Sequence, residues 1–185
     1  MNHNKGFCYH VYNRSLYGKI IFKTNDNYEF LLRKIKDYIN IYELMMISYC
    51  LLPNHYHMLI HLKRDNTLSP FIKRLFNSYT QAFNKQNHRR GTLFEGSAKI
   101  KQVDTDEYIL RLSEYIHMNP VKAGLVKSAE EWPYSNYLEW IGKREGKLVS
   151  KAFVKNYFPD PKVYEEIVNT SSFEYKEILV ADNFN

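Results

Sequence analysis

Two histidines, His55 and His57, stand at i and i+2 in the run His-Tyr-His-Met-Leu-Ile-His-Leu over 55–62. In a strand, alternate residues share a face, and positions i and i+2 are about 6.6–7 Å apart. Their imidazoles can therefore converge on one cation. The opposite parity, Tyr56, Met58, Ile60 and Leu62, is apolar and faces a core. His61 shares the parity of the pair but lies further along. The same spacing also describes two surface histidines that merely alternate. A second pair lies at 115 and 119. On a helix, Tyr115 and Asn119 are neighbours at i and i+4, and Tyr108 falls on the same line. Ile109, Leu112 and Ile116 form the core stripe beside them. A phenol and an amide so placed can act as nucleophile and oxygen ligand if that helix reaches the histidine face. The plainer reading of Tyr115 is an amphipathic core tyrosine, one of 16 in the chain.

The elements that must carry these residues follow from periodicity and turn chemistry. A strand is predicted over Phe7 to Tyr12, then a turn around Asn13 to Gly18 and a short apolar run, Ile20 to Phe22. Asp26, with Glu29 three residues on, predicts a helix start. Tyr28, Leu31, Leu32, Ile35, Ile39 and Tyr42 repeat at the helical period. Leu44 to Leu52 reads as a central strand, Pro53-Asn54 as a turn, and His55 to Leu62 as its hairpin partner. Ser69-Pro70 opens a second helix, with Ile72, Leu75, Phe76, Tyr79 and Phe83 as its buried stripe. Ala98 to Val103 is a fourth strand. A third helix starts at Asp104 and ends near Asn119-Pro120. The order through the fourth strand predicts an α+β ferredoxin-like sandwich, an antiparallel sheet with two helices on one face and the other face free. Trp132-Pro133-Tyr134 and Tyr137 to Ile141 read as a segment that covers the core. Residues 1–141 form one domain on this reading, and 142–185 a C-terminal helical extension of unassigned role.

Composition narrows the classes. Among 185 residues, 44% are apolar, enough for a core and against intrinsic disorder. No apolar stretch approaches the roughly 18–20 residues of a membrane span. The first residues carry no apolar signal core, which predicts a cytoplasmic protein. Two cysteines, Cys8 and Cys50, make neither a disulfide framework nor a thiolate zinc site. Twenty-six Lys and Arg against 20 Asp and Glu leave +6, and aromatics reach 16%. Both favour an anionic partner with exposed bases. The cations that border the histidines and the tyrosine helix in sequence are Lys63, Arg64, Lys73, Arg74, Arg89, Arg90, Lys99 and Lys101.

Four segments together resemble the single-tyrosine HUH transposases, most closely the REP-associated tyrosine transposase branch. They are Leu-Leu-Pro-Asn-His-Tyr-His at 51–57, Gly-Thr-Leu-Phe-Glu-Gly at 91–96, Tyr-Ile-His-Met-Asn-Pro-Val-Lys-Ala-Gly at 115–124, and Trp-Pro-Tyr-Ser-Asn-Tyr at 132–137. The resemblance covers about residues 6 to 141. It implies that His55 and His57 hold a divalent metal, Mg²⁺ or Mn²⁺, that Asn119 completes the coordination, and that Tyr115 is the nucleophile. It implies cleavage and rejoining of single-stranded, hairpin-bearing DNA through a 5′-phosphotyrosine. Arg14 sits where the family often has Asn-Arg, and Arg14, Arg89, Arg90, Lys99 and Lys101 are the candidate DNA contacts. Related transposases work as monomers or as a homodimer that exchanges the tyrosine helix. Two rivals remain at this stage: a non-catalytic single-stranded nucleic-acid-binding module of the same fold, and a metal-dependent hydrolase that uses water and does not need Tyr115.

Overall fold

The computed structural model describes residues 2–146 and 148–170. The chain runs β1 (Cys8–Arg14), α1 (Asn25–Ile39), β2 (Leu44–Leu51), β3 (His55–Leu62), α2 (Leu68–Gln86), β4 (Lys99–Val103), α3 (Asp106–Lys122), α4 (Tyr137–Trp140), α5 (Lys151–Tyr157) and α6 (Pro161–Thr170). The four strands form one antiparallel sheet in the order β2-β3-β1-β4. This is the α+β ferredoxin-like arrangement predicted from the sequence.

Strand alternation sorts the side chains into two cores. On one face, Tyr9 and Val11 of β1 and Tyr56, Met58, Ile60 and Leu62 of β3 pack with Leu31 and Ile35 of α1 and Leu75 and Tyr79 of α2. On the other, Cys8, Cys50 and Leu59 pack with Leu112, Tyr115 and Ile116 of α3, Trp140 of α4, and Tyr164 and Val168 of α6. The second face is therefore not open, as the sequence suggested, but largely covered by α3 and by part of the C-terminal extension. The remainder of that extension, 171–185, lies outside the described residues.

The helix starts differ from expectation by one or two residues. α1 begins after Thr24, and the side-chain oxygen of Asn27 accepts the backbone N–H groups of Lys23 and Thr24 at 3.0 and 3.4 Å. Asp26 lies inside the first turn instead of capping it. α2 starts at Leu68, which puts Pro70 in the first turn, where a missing N–H costs no helical bond. Thr105, not Asp104, caps α3, its hydroxyl oxygen accepting from the Tyr108 N–H at 3.2 Å. Ser, Thr, Asn and Asp are near-equivalent caps, so clusters such as Asp104-Thr105-Asp106 do not single one out. α3 also continues past Pro120 to Lys122, two to three residues beyond the end read from the proline.

β2 carries a bulge between Met46 and Ser48. Met46 packs toward α1 and α2, whereas Ile47 packs toward α3, and Ser48 Oγ donates to Ser113 Oγ of α3 at 2.6 Å. The Ile47 carbonyl accepts from Asn136 Nδ2 at 2.8 Å and Trp140 Nε1 at 3.0 Å. Further along β2, Leu51 N–H donates to the Tyr134 carbonyl and Asn136 N–H to the Tyr49 carbonyl. The segment 132–141 thus lies along the outer side of β2.

Candidate active site

Antiparallel pairing places β3 at the middle of the sheet, with Tyr12 of β1 opposite His57 and Arg14 opposite His55. Because Tyr56 between them points into the α1/α2 core, both imidazoles face α3. His57 is fully buried and His55 half-buried, with ring centroids 5.4 Å apart and planes perpendicular. Tyr115, 2% exposed, meets the His57 ring edge-to-face at 5.5 Å. Asn119, one turn on, is buried, and its amide donates to the Tyr115 carbonyl at 2.8 Å. The amide oxygen keeps its acceptor capacity while the side chain is held to the turn that carries Tyr115.

Burial governs the charge of the pair. Loss of hydration pushes His55 down to about 4. It holds His57 well below the usual histidine range, and the nearby His10, His55 and Lys122 add to the effect. Both are neutral bases near pH 7, the form that donates a lone pair to a cation. Among the described residues, no group of three or more His, Cys, Asp or Glu is arranged to hold a metal. A cation here would rest on His55, His57 and the Asn119 amide oxygen. That set is chemically suited to a divalent ion and carries no negative charge of its own.

Two residues that the sequence reading did not single out belong to this cluster. His10 on β1 shares the parity of Tyr12, and its Nε2 lies 3.0 Å from His57 Nδ1. Burial drives it down to about 3, so the contact joins two neutral imidazoles. When His57 Nδ1–H is the donor to His10 Nε2, the His57 tautomer and ring plane are set and its Nε2 lone pair is the one available to a cation. The signal was available: His10 has the parity of Cys8 and Tyr12, but only the antiparallel register brings it beside β3. Lys122, at the end of α3 beyond Pro120, puts its ammonium 4.7 Å from the centre of the Tyr115 ring. Its surroundings push it down to about 8, mainly by burial, with Glu114 acting the other way.

The other candidates are dispersed. Arg14 lies opposite His55 and is paired with Glu95 at 2.5 Å, joining β1 to the Gly91–Gly96 loop. Lys99 and Lys101 project from β4 on the histidine face, Lys99 5.8 Å from the Tyr12 ring centre and Lys101 donating to the Tyr108 hydroxyl at 3.0 Å. Tyr108 is thereby engaged at the sheet edge and not at the histidines. Arg89 and Arg90 sit beyond the end of α2, where Arg89 donates to the Thr92 carbonyl and lies 6.0 Å from the Phe83 ring centre. Phe83 belongs to the other core, so the structure does not bring Arg89 to the histidine face. His61 stays with Cys8, away from the pair.

Known proteins resemble this chain. The family model described as "Transposase IS200 like" matches residues 4–119. The chain belongs to the IS200-like transposase family. A curated Haemophilus influenzae protein named as a REP-associated tyrosine transposase is 26% identical over 106 residues, which span 52% of this chain and 60% of the relative. A solved REP-associated tyrosine transposase bound to a REP hairpin superposes with a TM-score of 0.66 at 17% identity, covering 81% of this chain and 91% of that one. A Deinococcus radiodurans structure named as a transposase matches at a TM-score of 0.41 and 18% identity, over 63% of this chain and 95% of that one. Among the described residues of this family member, no helix is long and apolar enough to cross a membrane.

Proposed function

We propose that this transposase cleaves and rejoins single-stranded, hairpin-bearing DNA through a covalent 5′-phosphotyrosine at Tyr115. The observation that carries the reading is the edge-to-face packing of Tyr115 on His57, with Asn119 tied to the same turn. A divalent ion, Mg²⁺ or Mn²⁺, held by His55, His57 and the Asn119 oxygen would polarise a non-bridging phosphate oxygen and orient the phosphodiester. The chain's own residues do the rest. Tyr115 Oη gives up its proton and attacks phosphorus. The P–Oη bond forms, the bond to the 3′ oxygen breaks, and that oxygen leaves as a 3′ hydroxyl after taking up a proton. The 5′ phosphate stays on Tyr115 until another 3′ hydroxyl reverses the step, so rejoining needs no nucleotide cofactor.

Positioning is the main contribution of the fold. His10 fixes the His57 ring, and Lys122 adds positive charge beside the phenol on which anionic charge develops. Lys99 and Lys101 border the same face as phosphate contacts. The solved relative's title names a REP hairpin as its ligand, and a hairpin with single-stranded flanks suits this chain's basic edge and aromatic content. Tyr115 and His57 pack together within one chain, so one copy holds both groups of the proposed site. On this reading residues 1–141 carry the catalysis in the cytoplasm, and the described part of 142–185 braces α3.

The test is a covalent adduct. Wild type and Tyr115→Phe are incubated with end-labelled hairpin DNA and Mn²⁺, and a denaturation-resistant shifted band is sought. Wild type should give the band with 5′-phosphate linkage, and Tyr115→Phe should bind DNA without giving it. An equal band in Tyr115→Phe would refute the assignment of Tyr115, and label trapped on a 3′ phosphate would refute the polarity. Release of DNA by hydrolysis with no adduct would favour the water-using rival.

A further inference from the structure

On the sheet face opposite the histidines, a cavity of about 670 Å³ opens between α2, the Gly91–Gly96 loop and β4. Its volume is within the range of small-molecule sites. The floor is aromatic: Tyr56 stacks on Phe76 with centroids 4.3 Å apart, and Phe94 meets both edge-on at 5.8 and 5.1 Å. The rim is polar, with Asn13, Asn77 and Lys73 among the lining residues. Lys73 and Asn77 are one helical turn apart on α2, so an ammonium and an amide stand side by side at the mouth.

One atom beneath the cavity floor is unaccounted for by the described residues. Tyr56 lines the cavity and is 0% exposed, yet its hydroxyl meets no hydrogen-bond partner among the described residues. A buried hydroxyl left unsatisfied is costly, so its presence in place of phenylalanine asks for a partner beyond the described residues. The neighbouring strand also matters. β4 pairs only with β1, so its other side is an open edge among the described residues, bearing Lys99 and Lys101 on the catalytic face. A polyanionic strand can pass around that edge from the catalytic face to the cavity.

We infer that the cavity between α2 and β4 binds an unpaired nucleobase of the DNA substrate, with Asn77 meeting its polar edge, Lys73 its phosphate, and Tyr56 Oη uncovered for the base by a shift of the aromatic floor on binding. The inference rests on the proposed function and adds a second contact site to it. A base offers what this cavity complements: a flat apolar ring, hydrogen-bonding groups around it, and an attached anion. The residue between the two catalytic histidines would thus read the same DNA on the reverse of the sheet.

The experiment is an abasic walk. Fluorescent hairpin DNA with single-stranded flanks is prepared with each unpaired base removed in turn, and affinities are measured by anisotropy for wild type, Asn77→Trp and Tyr56→Phe. Base–aromatic contacts are worth about 1–3 kcal/mol, so wild type should lose roughly 5- to 150-fold at one unpaired position. Asn77→Trp, which fills the mouth from an exposed helix position, should bind intact and abasic DNA alike. Tyr56→Phe should weaken binding severalfold only when that base is present. The inference is overturned if no position discriminates in wild type, or if both variants keep the wild-type discrimination. Adduct formation at Tyr115 is scored on the same samples. An adduct without base discrimination removes the cavity's role and leaves the catalytic reading, and discrimination without an adduct does the reverse.

Discussion

Lowering the pH from 7 to 5 should destabilise the fold by about 2 kcal/mol through His117 alone. His117 is fully buried on the back of α3, its Nδ1 2.7 Å from Tyr164 Oη of α6 and its Nε2 3.0 Å from Asn136 Oδ1. Burial holds it down to about 4 against an ordinary 6.5, the Asn136 contact opposing and Arg144 assisting. A histidine depressed in the fold leaves the unfolded chain with more protons below pH 6.5. Its contribution is therefore intact above that value and is lost as the pH falls toward 4. At 1.36 kcal/mol per pH unit the full difference is about 3.4 kcal/mol, of which about 2 has developed by pH 5. The buried His10, His55 and His57 shift the same way, so the measurement is a difference between proteins. Urea unfolding of wild type and His117→Gln is followed at pH 7 and pH 5. Glutamine keeps hydrogen-bonding groups but does not titrate, so wild type should lose about 2 kcal/mol more than the variant across that interval. Equal losses would refute the reasoning and with it the docking of α6 on His117.

Three further outcomes follow from the site and its supports. His57→Ala, or chelation of divalent ions, should abolish DNA cleavage in a gel assay while leaving most of the binding, because the protein's cations supply the affinity. The dissociation constant for single-stranded or hairpin DNA should rise with salt by about 0.7 log units per log unit for each phosphate contact, and Lys99→Ala with Lys101→Ala should lower that slope when titrations are repeated at several salt concentrations. Trp140, 1% exposed and donating to the bulge carbonyl of Ile47, should cost about 3–5 kcal/mol when changed to alanine, read as a fall in the unfolding midpoint.

The parts of the fold legible in the sequence are those where one period dominates. The alternation around His55 and the stripe Ile72, Leu75, Phe76, Tyr79 and Phe83 identified a strand and a helix face, and the stripe is buried throughout. The β2 bulge was not legible, because a strand apolar except for Ser48 has no alternation to break. The last residues of α3 were hidden by Pro120, which ordinarily ends a helix. At the candidate site, residues linked by local spacing were found: His55 with His57, and Tyr115 with Asn119. His10 needed strand register and Lys122 needed the helix to outlast its proline, and neither is written in nearby residues.

The way the sheet ends on its two sides has a consequence for how the molecule behaves among its own copies. On the β2 side, the strand's outward groups are engaged by the 132–141 segment, and Val149 bridges to Met46. On the β4 side the strand is five residues long and carries Lys99 and Lys101. Short, lysine-bearing edges resist pairing with a second protein strand, since like charges would be set against each other. The sheet is thus protected from growing into an aggregate by a covering on one side and by charge on the other. The charged side repels another copy of the chain but attracts a polyanion, so nucleic acid in excess should keep the protein dispersed at low salt.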